Sequence, residues 1–274
     1  MVFPVEAGQV LDLRVTASDK ITGHLQTAII HPLTLISHFA AYKEKAFASL
    51  WAIGGIICAK DTPAALTPIL ANCSGVILDV GPGAGHQVFR FSNAHAIGAI
   101  YGAEPGVSMH SALRKRAEQA GLGDKYHILS CEASLDSLVP ALAQEGLIEP
   151  GGTVFDEIVC IRVLCGVPDL NGVLEGLYGL LKPGGKMVVC EHVVNSGDTK
   201  KGGTKTGRFL QSCYMKAGWS SLIGGCELMR DTMSSLRKVA TKDGGWDRVD
   251  VELCDPYSTL PHIVGVLVKK REVS

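Results

Sequence analysis

From Gly75 onward the chain alternates between two patterns. Short apolar runs, rich in β-branched residues and bounded by glycine or polar positions, recur at VILDV (76–80), AIGAIYGAEP (96–105), YHILSCEA (126–133), VFDEIVCIRVLCGV (154–167, with its exit loop) and KMVVCEHV (186–193). Such runs predict strands buried on both faces. Between them lie segments with helical apolar spacing: 86–96, 107–120 (closed by Gly121), 135–148 and 170–182, the last ended by Pro183–Gly184–Gly185. Helices are also predicted over 209–223 and 230–242. Two final apolar stretches, 248–254 and 261–270, flank a turn around Asp255–Pro261 and predict an antiparallel pair. Five strand–helix alternations followed by a hairpin imply an α/β fold: a doubly wound, Rossmann-like, mostly parallel sheet with a C-terminal antiparallel strand pair.

Before Gly75 the pattern changes. Residues 1 to about 25 read as irregular. A helical stretch from Pro32 to about Ile57 carries Phe39, Tyr42, Phe47 and Trp51, and a short helix follows Pro63 through Ile69. We read residues 1–74 as an N-terminal helical cap and 75–274 as the core. The segment 195–207, NSGDTKKGGTKTG, predicts a mobile loop on composition.

Composition narrows the function classes. With 46% hydrophobic and 19% charged residues the chain reads as a packed globule. A net charge of -1 gives no electrostatic case for a nucleic-acid partner. The nine cysteines are scattered singly, with no CxxC pair, so neither a disulfide framework nor a metal site is expected. With no secretory signal pattern and no run of about 18 apolar residues, the expectation is a cytoplasmic protein without a membrane span. A homo-oligomer is left open.

The sharpest chemical signal is Asp79–Val80–Gly81–Pro82–Gly83–Ala84–Gly85, between a predicted strand and a predicted helix. Glycines there let the backbone turn tightly and approach a ligand. A dinucleotide fingerprint wants glycines at relative positions 1, 3 and 6; here they stand at 1, 3 and 5, with His86 sixth. Pro82 removes an N–H that phosphate would need, and no Lys-Ser/Thr follows. Asp79 would repel a pyrophosphate but suit an ammonium group. S-adenosylmethionine has that ammonium and no phosphate. Glu104, followed by Pro105 at the end of the second strand, is the candidate for the ribose hydroxyls of an adenosine. Glu132 and Ala133 are candidates for the adenine edge, with Cys131 and Ser134 as alternatives. Arg162 and Val163, leaving the fourth strand before Leu164 and Cys165, are candidates for the methionine end.

These motifs carry a resemblance. ILDVGPGAG, the acid of GAEP, VLCGV, LLKPGG and CEHV stand in the order used by class I S-adenosylmethionine-dependent methyltransferases. Arg162–Val167, Lys182–Gly185, Glu191–Val193, Gly225–Arg230 and Pro261–Lys269 resemble more closely the small-molecule thiol methyltransferases related to the ubiquinone/menaquinone methyltransferase group. The similarity spans roughly 75–270. It implies S-adenosylmethionine as cofactor and methyl transfer to a small-molecule thiol or hydroxyl, with a natural product of secondary metabolism as the acceptor class. Those thiol methyltransferases start with an apolar anchor, a pattern not seen here.

On the acceptor side, His192 and His262 are the candidate bases, since a thiol or hydroxyl must lose its proton. Tyr42, Trp51, Tyr214 and Trp219 are candidate walls of an acceptor pocket. Lys200, Lys201 and Lys205 belong either to a solvated loop or to a lid. Two other readings stay open: a methyltransferase-like fold that binds the cofactor but catalyses a rearrangement or cyclisation, and a non-catalytic cofactor-binding partner.

Overall fold

The computed structural model describes Ser49, Trp51, residues 54–147 and residues 152–271. Phe39, Tyr42 and Phe47 lie outside the described residues. Pro63–Ser274 forms one compact unit, and the described residues up to Thr62 belong to another, in which 54–60 are helical. Among the described residues no helix is long and apolar enough to cross a membrane.

In the larger unit, α1 (Leu66–Ala71) leads into β1 (Gly75–Val80), followed by β2 (Ile97–Ala103), α2 (Val107–Gln119), β3 (Tyr126–Leu129) and α3 (Leu135–Gln144). Then come β4 (Phe155–Ile161), α4 (Leu170–Leu180), β5 (Leu181–His192), α5 (Lys205–Lys216), α6 (Trp219–Leu222), α7 (Thr232–Val239), β6 (Arg248–Cys254) and β7 (His262–Val268). The seven strands form one sheet in the order β3-β2-β1-β4-β5-β7-β6. The first five are parallel, and β7 runs antiparallel to both β5 and β6. The hairpin thus folds back so that β7, an almost continuous apolar run, lies inside the sheet. Charged β6, with Arg248, Asp250 and Glu252, takes the solvent edge, where charges block further strand pairing.

Strand alternation sends successive side chains to opposite faces. Leu78, Val80, Tyr101, Ile158, Cys160, Met187 and Val189 enter one buried layer with leucines of α3 and α4 and Leu236 of α7. Ile77, Ile100, Val159, Val188, Cys190 and Val264 enter the other, with Leu66 and Leu70 of α1 and Leu113 of α2.

Three expectations need correction. The predicted helix over 86–96 is only a short 3-10 turn, Val88–Arg90; Phe91 turns into the core, and Ser92 and Asn93 favour turns over helix. The helix over 209–223 begins earlier, at Lys205, and breaks at Gly218 (φ 87°). The segment 195–207 is not a structureless loop. Asn195 is fully buried; its Oδ1 accepts from the N–H groups of Gly197 (3.0 Å) and Thr204 (2.8 Å), and its Nδ2 donates to the Ser258 carbonyl (2.9 Å). Gln211, also buried, accepts from the Asn195 N–H and donates to the Val193 carbonyl. Composition reports solvation at the rim of this segment and misses the buried amide that organises it.

Candidate active site

The parallel strands end along one edge, and their register aligns the loops that leave them. Val80 pairs with Ala103 on one side and Cys160 on the other. Gly81, Glu104 and the β4 exit therefore emerge side by side. Gly81, Gly83 and Gly85 have φ of 60°, 58° and 81°, the left-handed region that glycine alone enters freely. A Cβ on Gly81 would overlap the Val163 side chain, and one on Gly85 would stand 2.8 Å from Leu113 Cδ1.

Glu104 ties this loop to the end of β2. It is buried; Oε2 accepts from the Gly83 N–H (2.8 Å) and Oε1 from the Gly106 N–H (2.7 Å). These bonds fix the carboxylate at the mouth of the glycine loop. Beneath it lies buried Asp79, whose Oδ2 accepts from the Tyr126 hydroxyl (2.6 Å). Burial pushes its carboxyl up to about 6, against the Tyr126 hydrogen bond, with the like charge of Glu104 adding to the rise. His86, at the end of the loop, is buried, and neither ring nitrogen has a hydrogen-bond partner among the described residues. Burial and the Arg116 guanidinium hold its imidazole down at about 4.

The β4 exit is held from β5. Glu191 is fully buried; its Oε1 accepts from the N–H groups of Val163 (2.9 Å) and Leu164 (3.0 Å), while Oε2 has no hydrogen-bond partner among the described residues. Burial raises its pKa against those two bonds. Glu191 thus pairs with the β4 exit. Arg230 donates to the Leu164 carbonyl (2.6 Å). The clamp holds Arg162 at φ 53°, an unfavourable conformation for a residue with a side chain, of a kind that concentrates at functional sites.

His192 and His262 are directly opposite each other in the β5–β7 pair, with ring centroids 6.3 Å apart. Burial, Arg162 and His192 hold His262 down at about 3, so it is neutral and a feeble proton acceptor. His192 Nε2 lies 3.1 Å from Cys226 Sγ, which also accepts from Trp219 Nε1 at 3.1 Å. Hydrogen bonds from Cys165, His192 and Trp219 favour the Cys226 thiolate despite its burial, whereas Cys165 is held as the thiol. Cys165, Cys226 and Leu228 form a small apolar cluster onto which Tyr214 and Trp219 pack.

Asp79, the three glycines, Glu104, Arg162, Val163 and His192 thus come from β1, β2, β4 and β5 to one edge of the sheet. Pro105 and Glu132 are exposed, and Ala133 is half-buried beyond the end of β3, which stops at Leu129. Tyr126 carries no signal of function in the sequence, and Cys226 is marked there only as part of the Gly225–Arg230 resemblance. They reach the site only through strand pairing and the loop between α6 and α7. His86 stands out in the sequence for its spacing alone.

The methyltransferase domain family matches residues 78–187, from the middle of β1 into β5. The chain is 29% identical over 129 residues to thiol S-methyltransferase TMT1B of Rattus norvegicus, covering 46% of this chain and 48% of that protein. It is 26% identical over 114 residues to thiol S-methyltransferase TMT1A of Homo sapiens, covering 42% and 43%. The matched stretch therefore spans less than half the length of either relative. An O-methyltransferase family protein from Burkholderia thailandensis superposes with a TM-score of 0.52 at 13% identity, over 86% of this chain and 62% of that one, a likeness of fold. Residues 78–187 thus resemble a methyltransferase domain in sequence, and the larger unit shares its fold with an O-methyltransferase family protein.

The matched methyltransferase domain suits S-adenosylmethionine as its cofactor. The glycine loop is a cradle that a side chain at Gly81 or Gly85 would fill. Its buried carboxylates favour a cationic, phosphate-free nucleoside. Each carboxylate oxygen of Glu104 accepts from a backbone N–H, which holds the carboxylate beside the glycine loop.

Proposed function

We propose that the protein transfers a methyl group from S-adenosylmethionine to the thiol of a small organic molecule, with a hydroxyl acceptor as the less favoured form of the same reaction. The observation that carries this reading is the common edge that Asp79, Glu104 and His192 share. The strands β2, β1, β4 and β5 span three interstrand spacings, about 14 Å, a width that suits an extended nucleoside joined to an amino acid. Glu104 is assigned to the ribose, Asp79 to the ammonium group, Glu132 and Ala133 to the adenine edge, and Arg162 and Val163 to the methionine end. His192 faces the acceptor, together with Tyr214 and Trp219. Neutral His262 packs beside His192 as its neighbour.

The cofactor, when bound, supplies an electrophilic methyl on a sulfonium. The chain must align an acceptor lone pair with it and exclude water, an effect of proximity and orientation that reaches about 7–11 kcal/mol in ideal cases. The thiol preference is supported by the two thiol S-methyltransferase relatives and by the sulfur-rich, aromatic acceptor side. The segment 195–207 is proposed as a wall or lid of that side. Incubation with isotopically labelled S-adenosylmethionine and matched panels of thiols, phenols and amines, followed by mass analysis, tests this. Labelled thioethers are expected. Cofactor binding with no labelled product from any panel member overturns it.

A further inference from the structure

We propose that Cys165, His192 and Cys226 form a binding site for a zinc-class divalent metal, open at a fourth position that takes the sulfur of the acceptor. The three donor atoms come from the β4 exit, the end of β5 and the loop before α7, and all lie within 4.8 Å of one another in a buried setting. A tetrahedral site with metal–sulfur and metal–nitrogen bonds of about 2.3 and 2.0–2.1 Å needs donors about 3.6–3.8 Å apart. Shifts of about an ångström or less reach that arrangement. Two thiolates and one imidazole are a donor set that selects zinc among the common divalent ions. Two thiolate charges also neutralise the ion, so the loaded site can stay buried.

The surroundings suit this role. Trp219 Nε1 donates to Cys226 Sγ, an outer contact of the kind that orients and stabilises a ligating thiolate. Glu191 and Arg230 fix the loop that carries Cys165. Among the described residues no fourth His, Cys, Asp or Glu joins the group. Three protein ligands with one open position is the pattern of catalytic rather than structural zinc.

This inference rests on the proposed thiol methylation and deepens it. A thiol that takes the open position gives its proton to solvent and stays as thiolate at neutral pH. The acceptor sulfur then forms the new S–CH3 bond while the methyl–sulfonium bond breaks. The positive charge of the sulfonium is cancelled, leaving neutral S-adenosylhomocysteine. The thioether product is a weaker ligand and departs.

The test uses the full chain, purified without chelator and dialysed against zinc or cobalt ions. About one metal per chain is expected by elemental analysis, with thiolate-to-cobalt charge-transfer bands in the cobalt form. Cys165→Ser and Cys226→Ser should each lose the metal and the bands, whereas Cys213→Ser, at an exposed cysteine, should keep both. Should the first two variants fail to fold, the wild-type spectrum still decides. No retained metal, cobalt bands without thiolate character, or a Cys165–Cys226 disulfide in peptide mass spectra would overturn the site. Metal readout needs no turnover. A chain that binds zinc but methylates nothing refutes the proposed function alone, and one that methylates thiols without zinc refutes only the metal site.

Discussion

Replacing Asp79 with asparagine separates what this residue does for the fold from what it does for the ligand. Its carboxyl is buried and has its pKa raised from 3.8 to about 6, chiefly by burial. One pKa unit corresponds to about 1.36 kcal/mol, so 6 minus 3.8, or 2.2, gives about 3 kcal/mol. The sign follows from linkage. Below about pH 4 both folded and unfolded chains hold the proton, and ionisation exacts no penalty. As pH rises from there through about 6, the unfolded chain releases the proton first and the folded state loses stability. The full deficit is present above about pH 6. Asparagine keeps an acceptor for the Tyr126 hydroxyl and has no charge to bury. Its amide N–H groups need partners, which reduces the gain, leaving about 1–3 kcal/mol. Urea denaturation of wild-type and Asp79→Asn chains between about pH 4 and pH 8 should therefore show a difference that grows across pH 4–6 and then levels off, in favour of asparagine. Other buried titrating groups, Glu191, His86 and His262 among them, are common to both chains and cancel. The same variant should bind S-adenosylmethionine more weakly by calorimetry. A stability difference independent of pH, or one favouring aspartate at pH 8, would refute the assignment of a buried, reluctantly ionised carboxyl.

Glu104→Ala should weaken cofactor binding by about 1–3 kcal/mol, the scale of lost hydrogen bonds to a charged group. It should also lower the melting temperature, because the N–H groups of Gly83 and Gly106 lose their acceptor; unchanged cofactor titration would remove the ribose assignment. Asn195→Ala deletes the amide that organises 195–207 and should cost about 1–3 kcal/mol in denaturation, with faster proteolytic cutting inside that segment; cutting at the wild-type rate would show that the loop holds together without it.

The sequence by itself determined the architecture of the core. Five apolar runs separated by helical periodicity admit little but a doubly wound parallel sheet, because strands of that kind must be covered on both faces. It also marked the glycine loop and Glu104, since positive φ and close approach to a ligand restrict residue type at each position. Local patterning reaches no further than the segment it describes. Pairing register, set by which faces must be buried together, decided that β7 enters the sheet between β5 and β6. That same register brought His262 opposite His192. Cys165, His192 and Cys226 are far apart in the chain and share no motif; only the folding of three separate elements onto one edge makes them neighbours. Asn195 reads as one more polar loop residue until burial obliges it to satisfy its own amide and the backbone around it.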